Sequence, residues 1–175
     1  MPYQFVREPL TDEEVDRLAH ACETNEERLV IWTLLDTGLR VSELCSLTPK
    51  NILWQQRQIR VKGKGGPFGK KSKQRVTNMS VRVRALLEPY FALNDKWFVK
   101  PRQAQNIVKR VANRAKISSD VTPHVLRHTF ATTAIQKGIS LAAIQKSLGH
   151  DRLSTTAIYL NLTDQHVQEE FQKKW

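Results

Sequence analysis

Only one stretch of this 175-residue chain abandons the helical rhythm that governs the rest. Ile52-Leu-Trp54, then Gln58-Ile-Arg-Val-Lys62, then Gln74 to Met79 read as short strands. The first connection, Gln55-Gln-Arg57, is far too short for a parallel crossover, so it must be a turn between antiparallel strands. The second, Gly63 to Lys73, is long, glycine-rich and basic, and reads as the tip of a β-hairpin. Three short strands cannot enclose the core of a chain this size, so helices must supply it. The expected class is therefore α+β: mainly α with a small three-stranded antiparallel sheet, in a single domain spanning residues 1–175.

Helix signals flank that stretch. Thr11 and Glu14 form a capping-box pattern for a helix reaching about Cys22. Thr24 or Asn25 starts a second helix through the apolar run Leu29, Val30, Ile31, Leu34 and Leu35, stopping near Gly38. A short third helix follows, with Arg40 and Glu43 at i and i+3, and ends by Pro49 and Asn51. Ser80 caps a helix through Val83, Leu86 and Leu87, and a loop from Leu93 to Pro101 carries Trp97 and Phe98 as anchors. Arg102 to Lys116 reads as a helix with Ile107, Val108 and Val111 inside and a basic outer face of Lys109, Arg110 and Arg114. Thr122 caps the next segment, and Gly149 reads as a helix stop. Asp151 and Ser154 are cap candidates for a short helix bearing Tyr159. A last helix starts at Thr163 or Asp164, with Val167, Phe171 and Trp175 at i, i+4 and i+8.

Charge narrows the partner. Lys and Arg total 28 against 17 Asp and Glu, a formal charge of +11. From Gln55 to Arg84 the chain carries Arg57, Arg60, Lys62, Lys64, Lys70, Lys71, Lys73, Arg75, Arg82 and Arg84 and no acid. One-signed local charge argues for a polyanion rather than for solubility alone. An anionic membrane surface fits less well, because no helix joins a basic face to a large apolar one. There is no apolar run of about 18 residues and no apolar signal region in MPYQFVREPL, so neither a membrane partner nor export is expected. Cys22 and Cys45 show no paired or metal-ligand spacing, which suits a reducing cytoplasm.

Thr122 to Leu162 concentrates chemistry: His124, Arg127, His128, His150 and Tyr159 at helix-compatible spacings. His124 and Arg127, at i and i+3, are expected on one helix face. Guanidinium forks bind phosphate oxygens in pairs. A tyrosine hydroxyl, with an unperturbed pKa of about 10, becomes a nucleophile only where its proton is drawn away and nearby cations favour the phenolate. Taken singly, these residues have ordinary readings: a histidine on the surface, a tyrosine in the core, an Arg40–Glu43 surface pair worth about 0–1 kcal/mol. A metal site of His124, His128 and His150 is a further reading, though no carboxylate accompanies it and its surroundings are basic.

The segments TGLRVSEL, VKGKG, HVLRHTFAT, LGH and TTAIY, in this order, resemble the catalytic domain of the tyrosine recombinases, the phage-integrase family. The resemblance covers Thr11 to Leu162. It implies the recombinase catalytic-domain fold and DNA strand exchange without metal or nucleotide cofactor. Tyr159 would attack a DNA phosphate, forming a 3′-phosphotyrosyl link and releasing a 5′-hydroxyl. Arg40 and Arg127 would clamp the non-bridging oxygens, His150 would add a hydrogen bond, Lys64 would protonate the leaving oxygen, His124 would assist proton transfer and Glu43 would hold the site in shape. The implied partner is double-stranded DNA, bound by a DNA-dependent homo-oligomer (a tetramer in the family) whose isolated domain is a monomer, in a bacterial or archaeal cytoplasm.

Three departures from the pattern matter. The family's N-terminal core-binding domain is expected to be absent. The hairpin is long, so Lys62, Lys70, Lys71 and Lys73 rival Lys64 as the acid and, with Arg75, are expected DNA contacts. Thr133 stands where a histidine is frequent. Residues 163–175 are expected to dock on a neighbouring protomer or on their own core. Three other activities stay open: a type IB topoisomerase, a DNA-binding module with an idle site, and a metal-dependent nuclease on His124, His128 and His150.

Overall fold

A computed structural model describes residues 8–62 and 74–149. In chain order these form α1 (Asp12–His20), α2 (Asn25–Thr37), α3 (Val41–Leu44), a 3₁₀ turn (Pro49–Asn51), β1 (Ile52–Leu53), β2 (Gln58–Lys62), β3 (Gln74–Asn78), α4 (Val81–Leu93), α5 (Pro101–Arg114), α6 (Pro123–Gln136) and α7 (Leu141–Leu148). The class is the expected one: helices around a small antiparallel sheet in the order β1-β2-β3. None of these helices is long and apolar enough to cross a membrane. The expected helices beyond Asp151, including residues 163–175, lie outside the described residues.

Short-range chemistry starts α1, α2, α4 and α6 where the sequence reading places them. The Thr11 hydroxyl accepts the Glu14 N–H while Glu14 returns its carboxylate to the Thr11 N–H at 3.0 Å. Thr24, Ser80, Thr122 and Ser140 cap α2, α4, α6 and α7 in the same way, each accepting the N–H three residues on. Helix α4 runs further than expected, past Leu87 and through Pro89 to Leu93. Pro89 withholds one backbone donor, but aromatic contacts hold the last turn. Tyr90 meets Phe91, Trp97 and Phe98 with ring centroids 5.1, 5.5 and 5.8 Å away, and its hydroxyl donates to the Lys96 carbonyl at 2.6 Å. Trp97 is buried, the anchor the sequence suggests.

Helix α2 is the axis. Leu29, Val30, Ile31, Leu34 and Leu35 are buried, and α1, α4, α5 and α6 all pack on it. A second cluster of Ala131, Ala134, Ile144 and Leu148 joins α6 to α7. In the sheet Ile59 pairs with Thr77 and Val61 with Arg75. Ile59, Val61 and Thr77 face inward, while Arg60 and Lys62 alternate outward. Strand β3 then packs on α7.

Two features fix how α2 sits. Glu27, only 2% exposed, accepts hydrogen bonds from Arg110 and Arg114 of α5. This corrects the reading of those arginines as part of a free basic face: part of that face neutralises a buried carboxylate. Burial pushes the Glu27 carboxyl up, but bonds from Arg114, the Glu23 N–H and Arg110 outweigh it and hold the pKa at about 2. At the other end Gly38 closes α2 in the left-handed region, φ +63°, donating to the Leu34 carbonyl at 3.1 Å. A Cβ there would collide with the Phe130 ring and stand 2.8 Å from Leu148 Cδ2.

Both features predict stability. Because the folded pKa of Glu27 lies below the ordinary glutamate value of 4.5, its contribution is full above that value and drains away as pH falls toward 2. In urea titrations the parent should lose on the order of 3 kcal/mol more than Glu27→Gln between about pH 5 and pH 2. Gly38→Ala should cost at least ~1 kcal/mol for the backbone alone, with the Phe130 and Leu148 overlap adding to it. A urea midpoint equal to the parent's would contradict that account.

Candidate active site

Arg40 is the N-cap of α3, extended at φ −70° and ψ 150°. Three residues on, Glu43 turns back and accepts both the Arg40 N–H at 2.8 Å and its Nη1 at 2.9 Å. The pairing expected from i, i+3 spacing is therefore present, and it is asymmetric: the Glu43 side chain is 7% exposed, that of Arg40 45%. The carboxylate is buried and the guanidinium it steers stays open to solvent.

A third residue completes this group. Arg75 of β3 forks onto Glu43, Nη1 to Oε1 at 2.7 Å and Nη2 to Oε2 at 2.8 Å. Burial pushes the Glu43 carboxyl up, but hydrogen bonds from Arg75 and the Arg40 N–H and the charges of both arginines more than offset it, leaving the pKa below the ordinary carboxylate value. Glu43 is thus an anion held among cations. Arg75 itself is 8% exposed, so its position departs from the DNA-facing place the basic stretch suggested. The signal was in the register: opposite Val61 and two residues from buried Thr77, Arg75 falls on the inward face of the strand.

Arg127 sits on the inner face of α6, 4% exposed. Its Nη1 donates to the Gly38 carbonyl at 2.5 Å and its Nη2 to the Leu148 carbonyl at 2.7 Å. Those carbonyls lie at the C-terminal ends of α2 and α7, where unpaired C=O groups and the helix dipole both favour a cation. Two helix ends therefore converge on one guanidinium. Arg75 Nε reaches the neighbouring Ser147 carbonyl at 2.7 Å. The two arginines grip consecutive carbonyls of α7, just before its left-handed cap Gly149, φ +68°.

His124 occupies the first turn of α6 and is exposed, while Arg127 is buried. The expected shared face thus resolves into a solvent-facing histidine and an arginine beneath it. His128 is buried as well, unlike His124, and among the described residues no three His, Cys, Asp or Glu side chains gather as a metal site would require. Lys62 is exposed at the end of β2, opposite Gln74. Lys64, Lys70, Lys71, Lys73, His150 and Tyr159 lie outside the described residues. Next to the site a cavity of about 220 Å³ is lined by Arg60, Gln74, Arg75, Val76 and Lys146.

The described part of the site is a closed circuit. Arg40 bonds Glu43, Glu43 bonds Arg75, Arg75 and Arg127 bond the end of α7, and Arg127 bonds Gly38, two residues before Arg40. The circuit holds three guanidiniums and one carboxylate, of which Arg40 and Arg75 touch Glu43, so its excess charge is positive. Such an arrangement favours a phosphate and stabilises negative charge developing on its oxygens, without itself supplying a nucleophile.

Known proteins resemble this chain in sequence and fold. The phage integrase family profile matches residues 8–166. The chain is 33% identical over 178 residues to the tyrosine recombinase XerA of Pyrococcus horikoshii, and 36% identical over 176 residues to a tyrosine recombinase of Thermosipho africanus. It is 94% covered in both matches and spans 60% of each relative. A crystal structure of XerA recombinase superposes with a TM-score of 0.82 at 31% identity, over 99% of this chain and 66% of that one. XerH recombinase in a pre-cleavage complex with its difH substrate gives 0.76 at 25% identity, over 97% and 55%. The match over nearly all of its length shows that the chain belongs to the phage integrase family.

Proposed function

We propose that the chain is the catalytic domain of a site-specific tyrosine recombinase, cutting and rejoining double-stranded DNA through a 3′-phosphotyrosyl intermediate. The observation that carries this reading is the circuit of Arg40, Glu43, Arg75 and Arg127, which ends at Leu148, two residues before His150. Relatives named as tyrosine recombinases, and a similar recombinase solved on its DNA substrate, support it.

In this reading the Tyr159 oxygen attacks the scissile phosphorus as the bond from phosphorus to the 5′-oxygen breaks. The tyrosine proton leaves with help from His124, and Lys64 delivers a proton to the departing 5′-oxygen. Arg40, open to solvent, and Arg127, anchored by two helix ends, bind the non-bridging oxygens with His150. Glu43 aims Arg40. One phosphoester is exchanged for another, so the bond energy is kept and neither metal nor nucleotide is required. Lys62, Lys70, Lys71 and Lys73 contact the DNA backbone, and the active assembly is a DNA-dependent homo-oligomer in which residues 163–175 dock on a neighbouring protomer.

The test is covalent capture. With a nicked DNA substrate in EDTA, the protein should give a denaturant-stable adduct that Tyr159→Phe abolishes and that Arg40→Ala slows by about 10²–10³-fold. Cleavage that leaves no adduct and is lost in EDTA would instead favour metal-dependent hydrolysis. DNA binding with no adduct would mark a non-catalytic binding module. Relaxation of supercoils lacking any specific site would point to topoisomerase chemistry.

A further inference from the structure

We propose that Arg75 is a positioning residue of this active site: it fixes the phosphate-facing Arg40, through Glu43, relative to the C-terminal end of α7. The inference rests on the recombinase reading above and adds to it a residue outside the set of proposed phosphate and proton-transfer groups.

Three observations carry it. First, Glu43 accepts four hydrogen bonds, two from Arg40 and two from Arg75. The Arg40 guanidinium contributes only one of these, so the carboxylate's orientation is set largely by the Arg75 fork. Second, Arg75 spends its remaining Nε–H on the Ser147 carbonyl, beside the Leu148 carbonyl taken by Arg127. One planar group thereby sets the distance between α3 and the end of α7. The Thr77 hydroxyl strengthens the seam: it donates to the Thr37 carbonyl and accepts from Ser147 Oγ, tying β3 to α2 and α7. Third, the Arg75 stem runs directly under Gly149, where a Cβ would stand 2.7 Å from Arg75 Cδ. The residue that leads into His150 is seated on this arginine.

A role as a direct DNA contact fits less well. The Arg75 side chain is 8% exposed and all three nitrogens are engaged. Of the other basic residues lining the adjoining cavity, Arg60 and Lys146 are exposed. Lysine cannot substitute, because one ammonium does not reproduce a planar fork that addresses a carboxylate and a carbonyl at once.

The test separates aim from binding and from folding. Arg75→Lys, Arg75→Gln, Arg75→Gln/Glu43→Gln and Tyr159→Phe are compared with the parent on nicked DNA at saturating concentration. Single-turnover adduct rate, DNA affinity and urea midpoint are measured for each. Arg75→Lys should slow adduct formation about 100-fold, as a displacement of about 1 Å in a reacting group does, with affinity within about threefold of the parent. Among the described residues the charged groups acting on Glu43 are Arg75 from β3 and Arg40 from the start of α3. Removing Arg75 leaves burial opposed by Arg40 alone, so the Glu43 carboxyl rises. The rate–pH profile of Arg75→Gln should gain an acid limb absent from the parent, and Glu43→Gln in the same chain should erase it. Parent-like rates in both single variants, or an affinity loss equal to the rate loss with no new limb, would overturn the proposal while leaving the recombinase reading intact. Absence of a Tyr159-dependent adduct in the parent would overturn both.

Discussion

The described site depends on one buried carboxylate. Glu43 is the anion that lets arginines from α3 and β3 approach each other in a poorly hydrated place. Like charges repel strongly where water is excluded, and an unpaired buried ion costs several kcal/mol. Removing Glu43 therefore leaves two cations facing each other uncompensated, whereas removing Arg75 leaves the carboxylate with Arg40 as its one partner in the group. Such a network is weak evidence for stability, since apolar residues of the same volume often serve as well. What it provides is geometry: an arginine with its partner side held and its other side in solvent.

The same motif occurs a second time without that outcome. Glu27 is as deeply buried as Glu43 and also gathers two arginines, Arg110 and Arg114. There the partners rise from successive turns of α5, and the group joins that helix to α2. Arg114 also reaches the Ala21 carbonyl at the end of α1, but among the described residues no further buried arginine joins two helix ends there, as Arg127 joins α2 and α7. An outward-facing guanidinium does not by itself set the two groups apart, since Arg110 is 57% exposed and Arg40 45%. At Glu43 the exposed arginine is an N-cap residue, outside the helix it begins and two positions from the Gly38 carbonyl that holds Arg127.

What could be read from the chain follows from the range of the forces involved. Caps at Thr11, Thr24, Ser80 and Thr122, stops at Gly38 and Gly149, and the Arg40–Glu43 pair act over three or four residues, so spacing alone reveals them. The sheet was legible because its period differs from everything around it. Arg75 was obscured by its neighbours: ten basic residues without an acid look like one surface, although strand parity turns this one inward. Its partner is 32 residues away, and that of Arg110 is 83 away, separations at which a sequence holds no local trace of pairing. The continuation of α4 past Pro89 escaped for a similar reason, since the aromatic contacts that hold it involve a loop not yet formed when propensity is read.

This sorting changes what the basic stretch means. Of its described members, Arg75 is committed inward, and Arg82, though 39% exposed, is neutralised: it forks onto Asp36 and lies 5.0 Å over the Trp32 ring. Arg84 is partnered at the surface by Glu88 at 3.4 Å, a pair of little energetic weight. Arg57, Arg60 and Lys62 are exposed, along the strand that leads into the residues carrying Lys64. Charge that attracts a polyanion must be both uncompensated and accessible. On that criterion β2, rather than β3 or α4, presents the attractive edge, while the cations behind it set the distances at which a phosphate would be held. The stretch that looked like a single electrostatic surface is therefore two layers, an outer one that gathers and an inner one that aims, and the two-residue alternation of β2 and β3 is what separates them.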